Sequence, residues 1–260
     1  MTTTYLDKIV AAHRHAAAAD ARSLDALIER GQTTGAVRGF RRALLDASGL
    51  GVISEIKRRS PSRGDINPGV DVAEWAAAYE RGGATCLSVL TDGEFFGGSG
   101  DDLATARAAV AIPVLRKDFT VSARDVCDAR IMGADAVLLI VAALDDAELA
   151  DYHDLATELG MDVLVETHDE SEVERALAID ATMIGVNQRD LVTFEVDQER
   201  AVRVAAALPG RVVRVAESGV RGPDDAGPLL AAGYHAVLVG ESLMTSGDPA
   251  AAVAELRAIA

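Results

Sequence analysis

Eight short runs of mostly apolar residues punctuate this chain, and none shows regular polar–apolar alternation. They are Val52–Ile56, Cys86–Leu90, Val114–Arg116, Ala136–Ile140, Val163–Val165, Met183–Val186, Val212–Val215 and Ala236–Val239. A strand wetted on one face alternates, whereas a continuous run belongs to a strand covered on both faces, as in a parallel sheet. Between the runs lie amphipathic stretches: Val72–Arg81, Asp102–Val110, Ala123–Met132, Asp145–Leu159, Glu170–Ala178, Gln198–Ala206, Pro223–Ala232 and Pro249–Ala260. Several stop at glycine just before the next run, as at Gly82-Gly83, Gly133 and Gly233. Eight strand–helix units predict an α/β fold of the (β/α)8 barrel (TIM) type. A doubly wound open sheet is the alternative, but the first turn lacks the glycine-rich loop a dinucleotide site needs.

Ahead of the first run, apolar residues recur at helical spacing (Leu6, Ile9, Val10, then Leu24, Leu27, Ile28), with a glycine-rich connection from Gly31 to Gly39. Residues 1–50 are therefore expected as a helical extension of two or three helices. The whole of 1–260 is expected as one barrel domain, the size that suits a chain of 260 residues.

A formal charge of −16 argues against nucleic acid or an anionic membrane as partner. It leaves room for an anionic small molecule, because cations gather locally at Lys57, Arg58, Arg59 and Arg63 and again at Arg116 and Lys117. Cys86 and Cys127 are expected as buried free thiols of a reducing compartment. Asp7, Lys8 and Arg14 interrupt any secretory apolar region, and Ala136–Leu144 is too short to span a bilayer. A cytoplasmic monomer is the expectation.

The chemistry concentrates where the runs end. Val52 to Asp65 carries Glu55 and Lys57 two residues apart, so on a strand they share a face before a cationic loop rich in Ser, Pro and Gly. An acid and a base turned together cost too much to serve as packing, which marks a site. Only three of the 25 basic residues are lysines: Lys8, Lys57 and Lys117. Lysine can release a proton where arginine cannot, and two of the three stand at run ends. Asp118, Glu166, Asn187, Arg189, Glu217 and Ser218 end other runs. No histidine ends a run, His168 being assigned to the following helix start, so Ser–His and His-rich metal chemistry are not expected. Lysine–carboxylate proton transfer without metal or cofactor is.

Two small-residue turns follow the last two runs, Glu217-Ser218-Gly219-Val220 and Val239-Gly240-Glu241-Ser242. In barrels those loops commonly hold a phosphate on backbone N–H groups. Aromatic residues make up 4% of the chain, yet Phe95, Phe96, Phe119 and Phe194 fall near run ends with Leu138 and Leu191, suggesting a wall for a ring.

These segments resemble the indole-3-glycerol phosphate synthase family: SEIKRRSPSRGDI from Ser54, SVLTDGEFFGGS from Ser88, VLRKDF from Val114, GADAVLLI from Gly133, VLVETHD from Val163, IGVNQRDL from Ile184, AESGV from Ala216 and VGESLM from Val239. The resemblance covers essentially the whole chain. It implies conversion of 1-(2-carboxyphenylamino)-1-deoxyribulose 5-phosphate to indole-3-glycerol phosphate with release of CO2 and water. By that likeness Lys117 is the acid of ring closure, and Lys57 meets the substrate carboxylate and assists dehydration. Glu166 is the base with Glu55 a second candidate, and Glu217 and Asn187 orient the lysine and the sugar hydroxyls. Arg189 helps with the carboxylate. Ser60, Ser218, Gly219, Gly240 and Glu241 surround the phosphate, Glu241 by its backbone with the side chain turned to solvent. Phe96, Phe119, Leu138 and Leu191 flank the ring, and Leu238 also binds the substrate.

A phosphoribosylanthranilate isomerase-type barrel is the rival enzyme, but its Cys and Asp belong at strand ends and Cys86 begins a run. A barrel that only binds a phosphorylated ligand is the rival without catalysis. Polar groups on at least five run ends exceed what binding alone needs.

Overall fold

The computed structural model describes residues 4–190 and 192–259. Each apolar run forms a strand: β1 (Gly51–Ile56), β2 (Cys86–Leu90), β3 (Val114–Lys117), β4 (Ala136–Ile140), β5 (Asp162–Thr167), β6 (Met183–Asn187), β7 (Val213–Glu217) and β8 (Ala236–Val239). All pair in parallel in chain order, and β1 pairs β8 to close the barrel. Side chains alternate across each strand. Ile53, Cys86, Leu115, Leu138, Leu164, Met183, Val215 and Leu238 therefore fill the barrel interior. Their neighbours Val52, Leu87, Val114, Val137, Val163, Ile184, Ala216 and Val237 pack outward against the helices. Both faces are dry, which is why the strands read as unbroken apolar runs.

Three helices precede the barrel, α1 (Tyr5–Ala19), α2 (Leu24–Thr33) and α3 (Phe40–Leu45). The others are α4 (Val72–Arg81), α5 (Gly100–Ala109), α6 (Ala123–Met132), α7 (Asp146–Glu158), α8 (Glu170–Ala178), α9 (Arg200–Val204), α10 (Pro223–Ala231), α11 (Glu241–Met244) and α12 (Pro249–Arg257). Side chains of Asp71, Ser99, Ser122, Asp145, Asp169 and Asp248 cap helices by accepting a backbone N–H three residues on. Part of the acidity of the chain is thus spent on helix starts.

The N-terminal segment straps the barrel from end to end. Phe40 and Leu44 of α3 pack with Ile53, Cys86 and Ala236 and plug the end where strands begin. Asp135 and Asp162, at that same end, accept the backbone N–H groups of Arg38 and Arg41 at 2.9 and 2.8 Å. At the other end Leu6 and Ile9 of α1 lie over the mouth of the barrel.

Gly31 does not open a connection, as its sequence suggested. It lies inside α2, where a methyl group would sit 3.2 Å from Leu159 Cδ2, so the residue permits close helix packing. The helix expected over Gln198–Ala206 is shorter, Arg200–Val204 followed by a 3-10 turn at Ala205–Ala207. Gln198 is drawn instead to Gly219 O at 2.9 Å and Asp225 at 3.0 Å. Gly83, Gly133 and Gly233 do end helices, each at positive φ. Among the described residues no helix is long and apolar enough to cross a membrane.

Candidate active site

The alternation that packs the barrel also makes the site. Two residues beyond the inward Ile53, Leu115, Leu164, Gly185 and Val215 stand Glu55, Lys117, Glu166, Asn187 and Glu217. Five strands thus deliver polar tips into one cavity of roughly 640 Å³, the size range of small-molecule sites. Lys117 Nζ lies 3.0 Å from Glu166 Oε2 and 3.4 Å from Glu217 Oε2. Lys57 Nζ donates to Glu55 Oε1 at 2.8 Å, and Ser88 Oγ donates to Glu55 Oε2 at 3.3 Å. Asn187 Nδ2 donates to Glu166 Oε1 at 3.0 Å, and its own Oδ1 accepts the Arg189 N–H.

These charges set one another. Burial works against the Lys117 ammonium, but Glu166, Glu217 and Glu55 outweigh it and raise its pKa. Burial likewise opposes ionised Glu166, yet Lys117, His168 and the Asn187 hydrogen bond hold its carboxyl well below the usual range. Glu217 is left as the poorer anion. Burial dominates there, Lys117 compensates only in part, and neighbouring Glu166 repels, so its carboxyl is pushed up to about 8. One carboxylate held ionised, another inclined to keep its proton, and a charged lysine between them constitute acid–base machinery.

Two glycines make this crowding possible. A methyl group at Gly185 would stand 2.0 Å from Glu217 Oε1, and one at Gly240 would stand 2.5 Å from Glu55 Oε1. Gly240 was expected only as part of a phosphate turn. Its φ of −117° is ordinary, and it is the room for Glu55 that its missing side chain provides.

The structure brings the expected anion-binding residues together at one side of the mouth. Ser60, Ser218, Gly219, Gly240 and Glu241 all line the cavity, and Ser218 and Gly219 turn the chain through consecutive positive φ angles of 64° and 79°. The Glu241 side chain is partly exposed, and its Oε1 accepts from Arg63 Nη1, which compensates its charge beside the mouth. Phe96, Phe119, Leu138, Leu238 and Arg189 line the same cavity, with the Phe96 and Phe119 ring centroids 6.2 Å apart. Phe194 joins them and Phe95 does not. Leu191 lies outside the described residues.

Several cations expected to draw an anionic substrate are occupied elsewhere. Arg116 neighbours Lys117 on β3 and so points the opposite way, donating to Asp118 at 2.9 Å, Asp125 O at 2.8 Å and Thr91 at 3.1 Å. Arg58 holds Asp102 at 2.7 Å and Arg59 the backbone of Gly93 at 3.0 Å. Lys57, Arg63, Lys117 and Arg189 remain at the cavity.

No local pattern foretold the role of α1. His13 Nε2 lies 2.8 Å from Asp92 Oδ2, while Asp92 Oδ1 accepts the N–H groups of Phe95 and Phe96 at 2.6 and 2.9 Å. The imidazole also packs on Phe119 at 5.5 Å between centroids. The helix is thereby tied to both aromatic elements of the wall. Among the described residues His13, Asp92 and Asp118 are the one cluster whose ligand atoms, all within 4.8 Å, could hold a metal ion. Arg116 already compensates Asp118, and the amides occupy Asp92.

His168 directly follows β5 and precedes Asp169, the cap of α8, so it stands just ahead of the helix start it was assigned to. Cys86 sits at the far end of the barrel from the cavity, buried against Phe40 with burial pushing its thiol up, which removes it from the chemistry of the rival isomerase. Cys127 is also free and buried.

A closed (β/α)8 barrel whose strand tips gather lysine–carboxylate pairs under a small-residue mouth defines a TIM-barrel enzyme. The sequence model of the indole-3-glycerol phosphate synthase family matches residues 6–256, and the chain belongs to that family. It is 55% identical over 214 residues to the indole-3-glycerol phosphate synthase of Mycobacterium ulcerans, spanning 82% of this chain and 79% of the relative. With the Mycolicibacterium smegmatis enzyme of the same name it shares 50% identity over 257 residues, 98% of this chain and 94% of the relative. Among solved structures, thiamine phosphate pyrophosphorylase from Pyrococcus furiosus superposes with a TM-score of 0.62 at 18% identity, covering 81% of this chain and 95% of that one. A likeness so distant in sequence reports the barrel alone.

Proposed function

We propose that this chain closes the indole ring, converting 1-(2-carboxyphenylamino)-1-deoxyribulose 5-phosphate to indole-3-glycerol phosphate, CO2 and water as a cytoplasmic carboxy-lyase of tryptophan biosynthesis. The observation that carries this reading is the Lys117 ammonium held between Glu166 and Glu217 inside a cavity with an aromatic wall.

The ring carbon bearing the carboxylate attacks the ribulose carbonyl, forming the new C–C bond as the carbonyl electrons move onto oxygen. Lys117 gives that oxygen its proton; the developing alkoxide is basic enough to take it even from a lysine of raised pKa. The bond to the carboxylate then breaks, CO2 leaves, and its electron pair restores the aromatic ring. Dehydration follows: Lys57 protonates the departing hydroxyl while Glu166 takes a proton from the adjacent carbon, leaving the indole double bond. One proton is consumed in total, matching the carboxylate lost as CO2.

In the same reading Glu55 steadies Lys57, Glu217 and Asn187 orient Lys117 and the sugar hydroxyls, and Arg189 faces the substrate carboxylate. The ring lies along Phe96, Phe119, Leu138 and Leu238, and the phosphate rests against Ser60, Ser218, Gly219, Gly240 and the Glu241 backbone. The partner is this small anion alone, taken up by a monomer without cofactor. Incubating the purified chain with the substrate and following indole fluorescence tests the reading. Fluorescent product accumulating with enzyme concentration supports it, and intact substrate after prolonged incubation overturns it.

A further inference from the structure

His168 stands behind Glu166. Its Nδ1 lies 3.0 Å from Glu172 Oε2, which also accepts the His168 backbone N–H at 2.8 Å, so the ring orientation is fixed from α8. The opposite ring nitrogen, Nε2, is shielded from solvent, has no hydrogen-bond partner, and points toward Glu166 Oε1 at 3.7 Å. That is the oxygen Asn187 also contacts, while Lys117 holds Oε2. The imidazole therefore bridges a carboxylate inside the barrel and one on the helical layer, and its inner nitrogen is aimed at the residue assigned as base.

We propose that His168 is a positioning residue for Glu166, a cationic spacer wedged between Glu166 and Glu172 that fixes the Oε1 edge and leaves Oε2 to Lys117 and the substrate. The proposal rests on the assignment of Glu166 as base. A contact of 3.7 Å is an ionic approach; a small rotation of Glu166, once substrate draws on Lys117, brings it to hydrogen-bond length. The groups around the ring agree with a charged imidazole. Burial disfavours it, but Glu172 and Glu166 together overcome burial and the nearby Arg200 of α9, raising its pKa. A base must be ionised to accept a proton, and a cation within about 4–6 Å of a carboxylate lowers its pKa by about 1–3 units. His168 thus extends the range over which Glu166 works toward acid.

The test compares His168→Gln, His168→Lys, Glu172→Gln and Glu166→Gln with the parent enzyme, using the carboxyphenylamino sugar phosphate and indole fluorescence in short assays from about pH 2 to 9, low enough to reach the depressed Glu166 limb. His168→Gln is expected to shift the acidic limb of kcat/KM upward by about 1–3 units while activity at pH 8 stays within about threefold. Glu172→Gln shifts the limb in the same direction by less, and His168→Lys, which keeps a cation, restores much of it. A side chain that served only for packing would lower activity equally at every pH. Titration of 15N-labelled histidine by NMR gives a second readout, in which Glu166→Gln lowers the His168 pKa. An unmoved acidic limb in His168→Gln, or a His168 titration indifferent to Glu166→Gln, overturns the proposal. Retained turnover by Glu166→Gln refutes the base assignment instead, and the NMR arm then still decides whether His168 and Glu166 are coupled.

Discussion

Lys117→Arg separates a proton donor from a mere positive charge. Arginine keeps the charge that lies 3.0 Å from Glu166 and 3.4 Å from Glu217, so an electrostatic role survives the change in large part. It cannot release its proton, and its planar fork is broader than the compact ammonium the two carboxylates enclose. Losing a positioned general acid costs about 10²–10⁴ in rate, roughly 3–5 kcal/mol of barrier at 1.36 kcal/mol per decade. The phosphate and ring contacts lie on other elements, so KM is expected to change by less than about tenfold. Steady-state kcat and KM from indole fluorescence give both numbers, and thermal unfolding confirms that the variant retains its fold. A Lys117→Arg enzyme with kcat within about tenfold of the parent refutes the donor role and transfers it to Lys57.

Gly185→Ala drives a methyl group to 2.0 Å from Glu217 Oε1, so the carboxylate must leave its place beside Lys117. Overpacking of this kind costs about 1–3 kcal/mol, and an unchanged melting temperature with unchanged kcat would contradict it. Glu217 has a folded pKa raised to about 8, so its ionisation penalises the folded state increasingly as pH rises from the ordinary carboxylate range to about 8. Melting curves should therefore show Glu217→Gln gaining on the parent across that window, and a constant difference from pH 5 to 9 would refute the assignment. His13 is held charged against the cost of burial by Asp92, Asp118 and Asp125, so its contribution is complete below the ordinary histidine pKa and fades as pH rises through the raised value. His13→Gln is expected to melt below the parent at pH 5.5 and to approach it by pH 9; a gap that widens with pH would count against the α1 latch.

What the sequence shows and what it hides divide along one physical line. A run such as Ala136–Ile140 betrays itself because both faces of its strand are dry, and hydrophobicity is a local property of the residues. The active-site tips are legible by the same parity, Glu166 lying two residues beyond buried Leu164 and Glu217 two beyond Val215. Parity also separates Lys117 from Arg116, which the reading of a cationic cluster overlooked: adjacent residues of a strand face opposite ways, and Arg116 went to Asp118 and the helical layer. What no local pattern carries is contact between distant segments. His13 and Asp92 meet across 79 positions, and Gly185 is glycine because Glu217, on the next strand, needs its volume. His168 falls between the two groups, for its partners Glu166 and Glu172 are sequence neighbours yet lie on different elements. Its neighbours in sequence suggested a helix start, but its meaning lies in Glu166 on one side and Glu172 on the other, a juxtaposition that exists only once β5 and α8 are packed. Aligned strand ends create acid–base chemistry at a (β/α)8 barrel's mouth, while the contacts that tune it come from the links and the helical extension, and this chain places one of each on a histidine, His168 between β5 and α8 and His13 on α1.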